Sequence, residues 1–121
     1  MPIEAVATGF QALRGLAWGP DRTLYASDRD AGVIYRIVPS DPGASQVSVR
    51  QGGLQKPAGL ASGPDGALYV VEDGAGQIVR LNGTPTPVWT GLHHPTWLAV
   101  APDGTLYVTA QKSGGEPASR S

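Results

Sequence analysis

The sequence predicts an all-β chain, built from four-stranded antiparallel sheets that stack as blades of a β-propeller, with half a propeller in one chain. Three observations predict it. An ungapped motif recurs as FQALRGLAWGPDRTLYAS (10–27), LQKPAGLASGPDGALYVV (54–71) and LHHPTWLAVAPDGTLYVT (92–109). The copies begin at residues 10, 54 and 92, so that successive units are 44 and 38 residues long, close to the roughly 40 residues of a propeller blade. Seventeen Gly and eleven Pro, without apolar residues at helical spacing, suit many short strands joined by tight turns.

The elements follow in order over residues 1–110. AVAT (5–8) reads as the outer strand of a blade begun elsewhere. The first unit, near 9–52, places an apolar strand before the Pro20-Asp21 turn, then LYAS, the turn SDRDAG, VIYRIV, and a fourth strand QVSVR at 46–50. The second, near 53–90, repeats the plan with Pro64-Asp65-Gly66, LYVV, EDGAG, QIVRLN and TPVWT at 86–90. The third, near 91–110, reaches only its second strand, LYVT. Residues 111–121 are rich in Ser, Gly and Pro, carry no strand pattern and read as a flexible tail.

Each strand boundary has a chemical reason. In Pro-Asp-Gly, Pro fixes φ, the Asp carboxylate accepts a nearby backbone N–H, and Gly takes positive φ. Arg22 stands where the later turns have Gly66 and Gly104, which predicts a strained first turn. LYAS, LYVV and LYVT are apolar on both faces, as strands are when their sheet is covered on both sides. Arg36 and Arg80 recur at one place on the third strand and predict an ion pair to the adjacent blade.

Charge and composition exclude several functions. Nine Lys and Arg against ten Asp and Glu leave a net charge of -1, so nucleic acid and membrane surfaces are not expected partners. No stretch approaches the roughly 18 apolar residues of a membrane-spanning helix. The start MPIEAVATGF has an acid where a signal peptide has bases, so the chain reads as soluble and cytoplasmic. Absence of cysteine excludes disulfides, thiolate metal sites and Cys nucleophiles, and fits a secreted or periplasmic chain after signal removal equally well. No phosphate loop, Gly-x-Ser-x-Gly or His-Glu-x-x-His occurs, so nucleotide chemistry and serine hydrolysis have no support.

The pattern Pro57-x-Gly59-Leu60-Ala61, Asp65-Gly66, Leu68-Tyr69-Val70, Glu72 or Asp73, then Ile78-x-Arg80-Leu81 resembles the NHL repeat. It is also similar to six-bladed propellers of the gluconolactonase/regucalcin, strictosidine synthase and sorbosone dehydrogenase kinds, over roughly 9–110. The resemblance implies architecture more than activity. The third unit departs from it, with Thr96-Trp97 in place of Ala58-Gly59, Ala110 in place of Asp28 and Glu72, and no Ile-x-Arg strand. Glu4 lacks the surroundings of the metal-binding Glu of gluconolactonases, and His93 and His94 match no dehydrogenase motif, so no catalytic residue is carried over.

Propeller topology puts the loop into each innermost strand and the turn between second and third strands on one rim. That rim gathers Lys56, His93 and His94 with Asp28, Asp30, Glu72 and Asp73. Imidazole and carboxylate are what a divalent metal such as calcium, or a general acid/base pair, would use. The alternative is that the histidines are exposed loop residues and the carboxylates turn residues bonded to backbone N–H groups. Trp18 and Trp97 offer flat rings near the central channel for a sugar ligand, with blade packing as the alternative there and for Trp89.

The count of strands points to assembly. Leu106 to Thr109 and AVAT would be open edges, one closing on the other in a second copy. The chain then reads as a self-associating scaffold or ligand- or protein-binding module, a dimer as first expectation and non-enzymatic alone. The alternative is a fragment of a propeller enzyme acting on sugars, a metal-dependent lactonase or a sugar dehydrogenase.

Overall fold

The computed structural model describes residues 13–19, 22–39, 46–110 and 118–120. Three antiparallel sheets follow one another along the chain. Sheet 1 holds β1 (Leu13–Trp18), β2 (Leu24–Asp28), β3 (Val33–Val38) and β4 (Gln46–Gln51) in sequential order. Sheet 2 repeats this with β5 (Pro57–Ser62), β6 (Leu68–Glu72), β7 (Gln77–Asn82) and β8 (Thr84–Trp89). Sheet 3 contains β9 (Trp97–Val100), β10 (Leu106–Thr109) and β11 (Ala118–Arg120), with β10 in the middle. AVAT lies outside the described residues.

Turn chemistry sets the strand ends as expected. Gly66 and Gly104 stand at φ +83° and +92°, and Arg22, in their place, is held at φ +59°. Such a φ is costly for a residue with a Cβ. Asp65 Oδ1 accepts the Ala67 N–H at 3.0 Å, and Asp103 Oδ1 the Thr105 N–H at 2.9 Å. Asp21 lies outside the described residues.

The sheets stack face to face, with the inner strands β1, β5 and β9 side by side. Each sheet has a front face, toward the sheet before it in sequence, and a rear face, toward the sheet after. The rear face of sheet 1 gives Ala17, Tyr25 and Ile34, and the front face of sheet 2 gives Leu60, Leu68, Val70, Val79 and Leu81. The next seam repeats the scheme with Tyr69, Val71 and Ile78 against Leu98 and Val108. Every inter-sheet space is thus filled by aliphatic and Tyr side chains from two alternating strand patterns.

Two expectations need correction. Arg80 does not reach the adjacent blade: its Nη2 lies 2.7 Å from Asp65 Oδ2 in its own sheet. Strand register sets this, because Arg80 lies opposite Tyr69, four residues past Asp65 of the turn. Nor is β10 an open edge, because Ala118–Arg120 pairs with it from Leu106↔Arg120 to Val108↔Ala118. That strand falls in the Ser-, Gly- and Pro-rich segment, whose composition does not announce it.

Candidate functional site at the rim of the stack

The turns between second and third strands meet the loops leading into the inner strands of the following sheets. Gly32 and Gly76, both at positive φ, let their carbonyls accept the Leu54 and Leu92 N–H groups at 3.0 and 2.9 Å, one bond per seam. A Cβ at Gly32 would sit 2.5 Å from the Leu54 carbonyl oxygen, so glycine is needed for space as well as for φ. These bonds draw the polar side chains of successive blades onto one rim.

Lys56 and His94 occupy the same repeat position, and both hold left-handed backbone, φ +50° and +46°, ahead of the buried Pro57 and Pro95. Non-Gly residues in this region are strained, and a recurrence at a rim marks a geometry that the surroundings impose. The Lys56 carbonyl accepts the Asp73 N–H at 3.0 Å.

Asp73 is the centre of the site. Its Oδ2 pairs with Arg29 Nη2 at 3.2 Å, across the first seam. Its Oδ1 lies 3.3 Å from His94 Nδ1, in the loop that leads into sheet 3. Arg29 Nη1 is also 3.9 Å from Asp30 Oδ1. One carboxylate therefore links groups from all three blades. The His94 side chain is 70% exposed, so a ring fixed through Nδ1 directs Nε2 outward, toward a ligand hydroxyl or a proton.

The other carboxylates of the predicted set have structural partners. Buried Asp28 accepts the Ala31 N–H at 3.1 Å and closes its own turn. Buried Glu72 uses Oε2 for the Gln55 N–H at 2.9 Å and Oε1 for Gln77 Nε2 at 2.8 Å. Asp30 is exposed. Among the described residues no three His, Cys, Asp or Glu side chains come together as metal ligands, so Asp28, Asp30, Glu72 and Asp73 do not by themselves fit calcium. Their oxygens are spent on backbone N–H groups, an amide, a guanidinium and an imidazole.

His93 is exposed and His94 alone of the pair contacts the carboxylates described. Trp18 and Trp97 are exposed at 59% and 52%, whereas Trp89 packs against the cluster around Ile78. Arg29 was not anticipated as a site residue. Its signal is in the repeat: it aligns with Asp73, and opposite charges at equivalent places in adjacent blades can pair across a seam.

No helix among the described residues is long and apolar enough to cross a membrane. No protein-family model matches the sequence, and no curated protein does. Solved structures do. The chain is similar to a gluconolactonase of Xanthomonas campestris, with TM-score 0.73 and 25% identity over 92% of this chain and 40% of that one. It is similar to the PQQ-bound aldose sugar dehydrogenase of Streptomyces coelicolor, with TM-score 0.77 and 26% identity over 93% and 41%. Virginiamycin B lyase of Staphylococcus aureus shares the fold, with TM-score 0.65 and 15% identity over 88% and 40%. The chain thus spans about 40% of the length of these structures. It is a partial β-propeller whose structural neighbours are gluconolactonases and related propeller proteins.

Proposed function

We propose that this chain is a self-associating binding module, a propeller segment that a second copy completes and that presents the Arg29–Asp73–His94 rim to a small polar ligand. One observation carries the reading. Leu16 is 63% exposed on the front of sheet 1, while Leu60, at the same repeat position in sheet 2, is 6% exposed. Leu24, Ala26 and Ile37 on that face are buried, but Trp18 beside Leu16 is 59% exposed, and this strip of two large apolar side chains along the inner strand is the docking surface, since folded chains seldom leave apolar patches to water. Assembly then proceeds through sheet faces rather than through the strand edge that β11 covers.

The rim suits a ligand with several hydroxyls or a carboxylate: Arg29 and Lys56 supply cationic donors, and His94 a donor or acceptor. Light scattering of the purified chain tests the assembly, with a defined dimer expected; a monomer at all concentrations removes the reading. The likeness to a gluconolactonase and an aldose sugar dehydrogenase favours a second one, a portion of a propeller enzyme acting on sugars. A lactone-hydrolysis assay with and without calcium tests it. Turnover lost in His94→Ala supports an enzymatic rim, and turnover unchanged in both His93→Ala and His94→Ala removes it.

A further inference from the structure

Four Asp-Gly or Asn-Gly pairs occur in the chain: Asp65-Gly66, Asp73-Gly74, Asn82-Gly83 and Asp103-Gly104. In such a pair the glycine nitrogen stands close to the side-chain carbonyl carbon before it, and without a Cβ on glycine the two can close a five-membered ring. What each side chain and each N–H is bonded to separates the four.

The three Asp-Gly pairs are tied on both sides. The N–H of Gly66 donates to the Gly63 carbonyl at 3.0 Å, that of Gly74 to Gln55 at 3.0 Å, and that of Gly104 to Ala101 at 2.9 Å. The acids are held as well: Asp65 by Arg80 and the Ala67 N–H, Asp73 by Arg29 and His94, and Asp103 by the Thr105 N–H. Asn82-Gly83 is different. It makes the β7–β8 hairpin, where Asn82 pairs with Thr84 and Gly83 is the one residue between them, at φ +93°. Asn82, the only asparagine in the sequence, is exposed, and nothing lies within 4 Å of where a Cβ on Gly83 would stand. Among the described residues neither the Asn82 side chain nor the Gly83 N–H has a hydrogen-bond partner.

We propose that Asn82 is a self-modifying site, which converts to aspartate and isoaspartate in the folded chain while the three Asp-Gly pairs stay intact. The Gly83 nitrogen loses its proton and bonds to Asn82 Cγ; the Cγ–Nδ2 bond breaks, and Nδ2 leaves as ammonia with that proton. Water then opens the cyclic imide. Cleavage between Cγ and nitrogen gives aspartate in a normal chain, whereas cleavage at the Asn82 backbone carbonyl gives isoaspartate, whose chain runs through Cγ with one extra backbone atom. Water is the only co-reactant.

Both products act on sheet 2. Asn82 and Arg80 lie two residues apart on one face of β7, so a carboxylate at 82 competes for the guanidinium that holds Asp65. Isoaspartate does more, because an extra backbone atom in a turn of one residue disrupts the pairing of Leu81 with Pro85. That loosens β8, the strand that brings Trp89 to the Ile78 cluster. The proposal is independent of the assembly described above.

The test ages the native chain at mildly alkaline pH and follows each pair by mass spectrometry of tryptic fragments, the one with Asn82 beginning at Leu81. Isoaspartate is counted by methyl transfer from labelled S-adenosylmethionine with an isoaspartyl methyltransferase. Conversion at Asn82 should run about tenfold or more faster than at any Asp-Gly pair, since those must first break one or two hydrogen bonds. Asn82→Gln, whose ring would have six members, should remove the signal and keep the fold. An Asn82 that stays intact in the native chain but converts in denaturant overturns the proposal, because the hairpin then holds the side chain out of line. Equal rates at Asn82 and the Asp-Gly pairs of the native chain overturn it as well. For the effect on β8, the isoaspartyl fraction separated by ion exchange should melt several degrees below Asn82→Asp, and equal melting overturns that step.

Discussion

Strands β6 and β10 carry almost the same sequence, LYVV and LYVT, in equivalent places of adjacent sheets, yet their surroundings differ. In β6 the residues on both faces are buried or half-buried. In β10 Leu106 and Val108 are buried while Tyr107 and Thr109 are exposed. The alternation in β10 reflects its place at the end of the stack, since its sequence is written for a sheet covered on both sides. Burial in this chain is set by the neighbour as much as by the strand, and the last sheet shows what the inner ones would expose if separated.

The largest expected effect tests that contrast. Ile78 is fully buried in the seam between sheets 2 and 3, with Val71 and Val108. Ile78→Ala should cost about 2–5 kcal/mol in denaturant unfolding, from lost transfer energy and the cavity left behind. Tyr107→Ala, measured at concentrations where the chain is monomeric, should cost much less, because half of its surface is already in water. Equal losses would mean that the rear face of sheet 3 is covered in the monomer.

A smaller effect tests the seam itself. Gly59→Ala sets a methyl group 2.6 Å from the Thr96 oxygen and 2.8 Å from Trp97 Cα. Both are backbone atoms, so sheet 3 must shift away or break the Gly59–Thr96 hydrogen bond. A destabilisation of about 1–3 kcal/mol is expected by thermal or chemical unfolding, as for overpacked cores. A variant as stable as the parent would show a seam loose enough to accept a Cβ.

The parts legible in the sequence were those that the repeat encodes locally. Pro64-Asp65-Gly66 and Pro102-Asp103-Gly104 fix turns by dihedral preference and a side-chain hydrogen bond within two residues, which composition alone reveals. The rim could be located, because topology puts the same loops on the same side in each blade. Its wiring could not. Asp73 and Glu72 are adjacent acids in the sequence, but one points across two seams to Arg29 and His94 while the other is enclosed by Gln55 and Gln77. Only the register and the bulge in β5 separate those fates. Strand β11 was hidden for another reason: a segment of three residues paired to a neighbour needs no hydrophobic pattern of its own.

The smallest effect compares the two Asp turns. Asp65 lies below the ordinary carboxylate range, mainly through its bond to Arg80 and then through the Ala67 N–H. Asp103 is also lowered, chiefly by the Thr105 N–H and side chain and with no cation taking part, because sheet 3 has no counterpart of Arg80. A carboxyl whose native pKa is depressed stabilises the fold above its unfolded value, ordinarily 3.8, and that contribution is lost as pH falls through the native value. The difference in melting temperature between the parent and Asp65→Asn should therefore be present at neutral pH and vanish under acid conditions, and it should shrink with added salt, which screens an exposed ion pair. Asp103→Asn should show the same acid dependence with little response to salt, since its partners are a backbone N–H and a hydroxyl. Arg80→Ala should make Asp65 behave as Asp103 does. A salt response of equal size at both turns would mean that the Asp65–Arg80 bridge does not hold in solution, and that the difference between the inner and the outer sheet is one of packing alone.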